Sequence, residues 1–278
     1  MSLHMRAGSS GRRTAWAATA VFLAVTSLLP VPAAAEEDLW PALRAEVFAD
    51  RAIAEDGLVV IDAPERAEDA ALVPVTVRVP PEVKGPLKAL TLIIDQNPAP
   101  VAVALTFGPA AGEGGGERRF STRVRIDTYS YVRAIVETAD GSLHMAKTFV
   151  KASGGCSAPA PKDIDGTLAD LGKTVVRSFE PALSSTPLRE AQIMIRHPNI
   201  NGLQMDPESR AYPPARFVET VTVTRGADLV FRTDLSISIS ADPHFRFTYA
   251  NSDDNELEVV AVDTDRTVFK GGTRHKGL

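Results

Sequence analysis

Val73-Pro74-Val75-Thr76-Val77-Arg78-Val79 places a valine at every second position. A period of two is that of a strand with one buried face. Working outward, runs of the same kind lie at 58–61, 90–94, 101–107, 119–126, 131–138 and 143–150. Between them stand Pro80-Pro81, Asn97-Pro98, a glycine-rich run at 112–116 and Asp140-Gly141, all turn signals. No long helical pattern interrupts the series, which argues against alternating strands and helices. Short strands at this spacing predict a β sandwich of immunoglobulin type.

Upstream, Leu39, Leu43 and Val47 lie four apart, one face of a short helix. Downstream, 151–187 is the weakest region for regular structure, with a short helix expected across 168–176. Strand patterns resume at 191–196, 217–224, 229–232, 235–240, 245–249, 257–262 and 267–269. Leu235-Ser236-Ile237-Ser238-Ile239-Ser240 alternates apolar and hydroxyl side chains. The tail from Gly271 to Leu278 is expected to be loose. The fold class expected is all-β: two immunoglobulin-like antiparallel sandwiches joined by a linker, with a short N-terminal helix. The divisions are 1–35, 36–152, a linker at 153–187, and 188–278.

Residues 1–35 read as a signal peptide. Arg12 and Arg13 precede an apolar run from Ala15 to Leu29, and Ala33-Ala34-Ala35 follows before Glu36. The run is shorter than the ~20 residues of a membrane span. A periplasmic protein is expected, exported by the Sec or the twin-arginine route, with no membrane attachment after cleavage. Residues 1–35 carry Arg6, Arg12 and Arg13 and no acid; the remainder has 27 basic and 35 acidic residues, a formal charge of −8. That balance argues against nucleic acid as a partner.

Cys156 is the single cysteine of the 278 residues. In an oxidising compartment it has no partner within the chain. It stands in Ser153-Gly154-Gly155-Cys156-Ser157-Ala158-Pro159-Ala160-Pro161, behind two glycines and ahead of two prolines. One reading is a thiol displayed on a movable loop; the other is a small residue in a linker. A blue-copper centre needs His and Met shortly after the cysteine. Here Met194 and His197 are the first of each, and His144 and Met145 point to opposite faces of a strand. No acid or histidine adjoins Cys156 to make it a catalytic nucleophile. His197-Pro198 reads as a strand end. Arg123 and Arg125 share a strand face and read as solvated. Asp253-Asp254-Asn255-Glu256 reads as an acidic hairpin turn. No metal or organic cofactor is expected.

The first half resembles the SoxY family of sulfur carriers. The resemblance rests on Ala63-Pro64, Ala67-Glu68-Asp69, Val73-Pro74-Val75, Asn97-Pro98, Thr122-Arg123-Val124-Arg125, Asp140-Gly141 and Gly154-Gly155-Cys156. The second half resembles SoxZ in Ile195-Arg196-His197-Pro198, Pro214, Phe217-Val218, Val221-Thr222-Val223 and Asp242-Pro243 before Phe245-Arg246-Phe247. The order of the two halves resembles fused SoxYZ-like carriers associated with quinoprotein alcohol dehydrogenase systems. The resemblance implies a non-enzymatic periplasmic carrier of sulfur intermediates on Cys156. Gly154 and Gly155 would give the carrier loop its flexibility, and thiosulfate-oxidising or other sulfur-oxidising enzymes would be the partners. The alternative is a binding or assembly module for a quinoprotein (PQQ) dehydrogenase system, with Cys156 unused. The chain departs from the family after the cysteine: Ser157-Ala158-Pro159 replaces a glycine pair and the chain runs on. A swinging arm is thereby turned into a loop tethered at both ends.

Overall fold

The structure is a computed structural model that describes residues 38–49, 51–158, 169–181, 185–206, 210–253 and 256–273. The leader at 1–35 and parts of the expected linker, the acidic turn and the tail lie outside these residues. No described helix is long and apolar enough to cross a membrane.

The first half contains α1 (Trp40–Phe48), β1 (Ile53–Ala54), β2 (Val60–Asp62), β3 (Val73–Val79), β4 (Leu87–Ile94), β5 (Val101–Phe107), β6 (Arg118–Val124), β7 (Ser130–Thr138) and β8 (Leu143–Val150). The second contains β9 (Thr174–Phe179), β10 (Leu188–Ile195), β11 (Val218–Arg225), β12 (Asp228–Leu235), β13 (His244–Ala250), β14 (Leu257–Asp263) and β15 (Val268–Gly272). In β3 the period-two pattern is realised: Val73, Val75, Val77 and Val79 are all buried.

The strands form two sheets, and each sheet runs through both halves. One has the order β1-β8-β7-β4-β5-β12-β11-β14-β15, the other β2-β3-β6-β13-β10-β9. The halves meet where β5 pairs antiparallel with β12, Phe107 opposite Phe231 and Val103 opposite Leu235. They meet again where β6 pairs with β13, Phe120 opposite Phe247. One hydrophobic core spans both halves. At its centre the Phe120 ring packs on Phe231 (6.1 Å) and Phe245 (5.9 Å), and Phe231 packs on Phe247 (4.9 Å). The two halves are thus joined by shared sheets and a shared core as well as by the linker. Strand edges β5 and β6 carry unpaired backbone groups, and pairing them with β12 and β13 satisfies those groups while burying the aromatic cluster.

Helix α1 covers the outer face of the larger sheet. Phe48, Ile93, Ile135, Leu143 and Met145 form a second small core there, with Leu43 and Val47 packed on it. Beneath the helix Arg133 is paired through two nitrogens to Asp95 at 2.8–2.9 Å, and its guanidinium lies 4.2 Å from the Trp40 ring centroid. That cover explains why the middle of β7 is buried on both faces rather than on alternate residues.

Three local expectations are changed. Of the expected helix at 168–176, position 168 lies outside the described residues and Ala169 is helical, while strand β9 begins at Thr174 and completes the ladder on β10. Leu235–Ser240 is not a strand beyond Leu235. Its hydroxyls turn inward, and Ser238 and Ser240 donate to the carbonyls of Ala99 and Ala71, both 2.7 Å. Gly271 and Gly272 lie in β15 rather than in a loose tail.

Candidate functional site

Two segments of the first half and one of the second converge on Cys156. Beyond β6 the chain runs through Arg125-Ile126-Asp127 towards β7. Beyond β8, Lys151 is fixed between Glu65 and Ala67 by backbone hydrogen bonds of 2.8 and 3.2 Å. The turn that follows docks on the first segment. Gly154 N–H donates to the Asp127 carbonyl (2.7 Å), Gly155 N–H to the Ile126 carbonyl (2.9 Å), and Cys156 N–H to Asp127 Oδ1 (3.3 Å).

The second half closes the turn from the other side. Beyond β10, His197, Asn199, Asn201 and Gln204 are all buried. Asn201 Nδ2 donates to the Cys156 carbonyl (2.7 Å), and Gln204 Nε2 to the Ala158 carbonyl (2.8 Å). His197-Pro198 does follow a strand end, but His197 is also the foot of this segment. Its backbone N–H bonds Asp242 Oδ1 (3.0 Å), its Nδ1 accepts from Asn199 N–H (3.0 Å), and its Nε2 lies 3.5 Å from Asp263 Oδ2. Burial depresses the His197 pKa, with the Asp263 carboxylate opposing that shift, so the ring is neutral. Asn199, at φ +43°, binds Val218 N–H through Oδ1 (3.1 Å) and the Ser240 carbonyl through Nδ2 (3.1 Å).

Cys156 is 1% exposed. Burial, with the negative Asp127 adding to it and Arg125 opposing it, pushes its thiol up to about 11. In this conformation the sulfur is a protonated, sheltered thiol and a poor nucleophile. The reading of a displayed thiol does not describe this state.

The two glycines have defined places in the turn. Gly154 has φ +77°, where a side chain would be strained. A Cβ on Gly155 would lie 2.1 Å from the Ala70 carbonyl oxygen and 2.6 Å from that of Ile126. Gly155 therefore lets the turn approach two backbone segments closely.

Five hydrogen bonds hold the turn: those of Gly154, Gly155, Cys156, Asn201 and Gln204. At ~1 kcal/mol net each they contribute on the order of 5 kcal/mol. Freeing a few residues returns backbone entropy of ~1–2 kcal/mol per residue. The two quantities are of one size, and the burial of Cys156 and Ala152 adds to the docked side.

The sequence alone singled out Cys156, Gly154 and Gly155, and the structure places all three in this turn. Arg125, read as solvated, is buried beside it. Asp127, Asn201 and Gln204 were not singled out. They lie 29, 45 and 48 positions away in sequence, in irregular segments with no periodic pattern. Close in sequence to the residues that hold the turn are the exposed apolar side chains Leu72, Tyr129, Leu203 and Met205. Among the described residues no cluster of three or more His, Cys, Asp and Glu has the arrangement of a metal site.

Among solved structures, the sulfur carrier protein SoxY from Chlorobium limicola f thiosulfatophilum is similar to 41% of this chain over 94% of its own, at 26% identity and a TM-score of 0.33. A superoxide reductase (neelaredoxin) from Ignicoccus hospitalis is similar to 34% of this chain over 77% of its own, at 19% identity and a TM-score of 0.28. No curated protein matches the chain. The family of sulfur oxidation protein SoxY matches residues 44–156, ending on the cysteine, and that of sulphur oxidation protein SoxZ matches residues 180–274. The chain carries a SoxY-like domain fused to a SoxZ-like domain, the architecture of the SoxYZ sulfur carriers.

Proposed function

We propose that the protein is a non-enzymatic periplasmic carrier that holds sulfur intermediates covalently on Cys156 for sulfur-oxidising partner enzymes. The observation that supports this most is the position of the thiol. The single cysteine closes the SoxY-like match and sits buried in a turn that hydrogen bonds hold and the SoxZ-like half clamps. Docked, the thiol is protonated and sheltered. Released, it regains an ordinary cysteine pKa and can form a persulfide or thiosulfonate. Lys151 and the core residue Ala152 anchor the loop, and Gly154 and Gly155 lend the released part its freedom. Leu72, Tyr129, Leu203 and Met205 offer apolar contact to a partner that receives the loop. Each half supplies an immunoglobulin-type set of strands to the shared sandwich.

Intact-mass spectrometry of protein from its own periplasm, before and after reductant, tests this. A reductant-sensitive mass on Cys156 is expected. An unmodified thiol that also refuses sulfur donors in the presence of cell extract would sink the carrier reading.

The burial of Cys156 favours a second reading, a binding or assembly module for a dehydrogenase system in which the thiol is unused. Cys156→Ser separates the two: the carrier loses function with its fold intact, the module keeps it.

A further inference from the structure

Arg125 is 2% exposed and lies between the Cys156 turn and the 199–201 segment. Its Nη2 donates to the Asn199 carbonyl (3.1 Å), two residues before the Asn201 that holds the Cys156 carbonyl. Its neighbours Ile126 and Asp127 receive the amides of Gly155 and Gly154. Guanidinium and thiol are therefore fixed on the same two segments.

Of the other buried arginines two have a carboxylate, while Arg118 shares with Arg125 an unpartnered Nε but places both terminal nitrogens on carbonyls. Arg133 is paired to Asp95, and Arg189 to Glu180. Arg118 donates two nitrogens to the carbonyls of Val83 and Gly85, at 2.7 and 2.6 Å. Arg125 has no carboxylate within ion-pair distance among the described residues, only Asp69 at longer range, and its buried Nε has no hydrogen-bond partner. A buried charge with only a distant counter-charge is costly. The neutral docked thiol does not supply a nearer one.

We propose that Arg125 is the positioning residue for the anionic end of a sulfur adduct on Cys156, holding the loaded turn in its docked place. This rests on the carrier reading above. A persulfide, thiosulfonate or sulfonate on Sγ carries a negative charge just beyond the sulfur, and a guanidinium donates to such a group with charge-assisted hydrogen bonds. The site then favours cargo ending in an anion over a neutral disulfide of similar size.

The test uses two adducts on the purified chain. With tetrathionate, the Cys156 thiolate attacks a sulfane sulfur. A new S–S bond forms, the central S–S bond breaks, thiosulfate leaves with the electron pair, and the thiol proton goes to solvent. With methyl methanethiosulfonate, attack on the sulfenyl sulfur gives a neutral methyl disulfide and releases methanesulfinate. Cleavage of each adduct by dithiothreitol is followed by intact mass, relative to the same adduct in denaturant. The folded chain is expected to protect the anionic adduct about tenfold more than the neutral one. That difference should vanish in Arg125→Gln and return in Arg125→Lys.

Equal protection in the native chain overturns the proposal, even if Arg125→Gln does not fold. So does a difference that persists in a folded Arg125→Gln. The carrier reading fails by another route, the absence of any adduct on protein from its own cells.

Discussion

The Asn201 side-chain amide donates to the Cys156 carbonyl at 2.7 Å, so the second half of the chain holds the cysteine of the first. Asn201 Oδ1 also accepts from Leu203 N–H at 2.9 Å, which fixes the side chain that makes the contact. Replacing Asn201 with Ala removes one of the five bonds on the turn. The Cys156 thiol should then react about fivefold faster with a neutral alkylating reagent at pH 8. An unchanged rate, with melting temperature preserved, would show that the clamp does not govern access.

Gly155→Ala should act more strongly. The added carbon falls 2.1 Å from the Ala70 carbonyl oxygen, a backbone atom that cannot move cheaply. The turn must lift away, while the core remains intact. Alkylation is expected to rise at least tenfold, with global unfolding by urea little changed. A thiol as slow as in the native chain would contradict the packing described.

The pH dependence of alkylation should report the docked state. The docked pKa of about 11 lies above the ordinary 9.0. Between these values a released thiol ionises while a docked one does not, so docking weakens as pH rises through this window and is unaffected below it. The loss is roughly tenfold per pH unit. The native chain's pH–rate profile should therefore keep rising past pH 9 and level near 11. That of Gly155→Ala should level near 9. Coincident profiles would mean that the thiol is not docked in solution.

Acid should loosen the second half. The folded pKa of His197 lies below its ordinary 6.5 because the ring is buried, and His244 is shifted the same way by the same cause. Their contribution is complete above pH 6.5 and falls away as pH drops below it, because the unfolded chain takes up protons that the folded chain refuses. Asp263, held below 3.8, adds a loss only at still lower pH. Urea-unfolding free energy should decline from pH 7 to pH 5. His197→Asn, which can still accept from Asn199 N–H, should flatten that decline. A decline of equal steepness in the variant would remove His197 as its source.

The halves should not separate when the chain between them is cut. Both sheets continue across the junction through β5–β12 and β6–β13, around the Phe120, Phe231, Phe245 and Phe247 cluster. A protease site engineered between positions 159 and 168 would allow the cut. The two fragments are expected to co-elute on size exclusion without denaturant. Elution as separate fragments would contradict a shared core.

Much of the fold could be read locally. The alternating valines of β3, the apolar runs of β5 and β8 and the four-residue spacing in α1 are signals set by neighbours within a few residues. Leu235–Ser240 and 168–176 misled for the opposite reason. Their conformation is set by partners far along the chain, the carbonyls of Ala71 and Ala99 and the edge of β10.

The β character, the two-part organisation, the single cysteine with its glycines and the resemblance of both halves to one carrier architecture are legible in the chain. That the two halves share their sheets, that the thiol is docked and protonated, and that Arg125, Asp127, Asn201 and Gln204 stand about its turn became visible in the folded molecule. Strand periodicity records which face of a segment is buried. It does not record which edge finds which edge, because backbone hydrogen bonds are indifferent to side-chain identity. Nor does it record the cost of burying a charge, which depends on what long-range folding brings alongside. The state of Cys156 is fixed by such distant groups, and so it emerges only when the chain is folded.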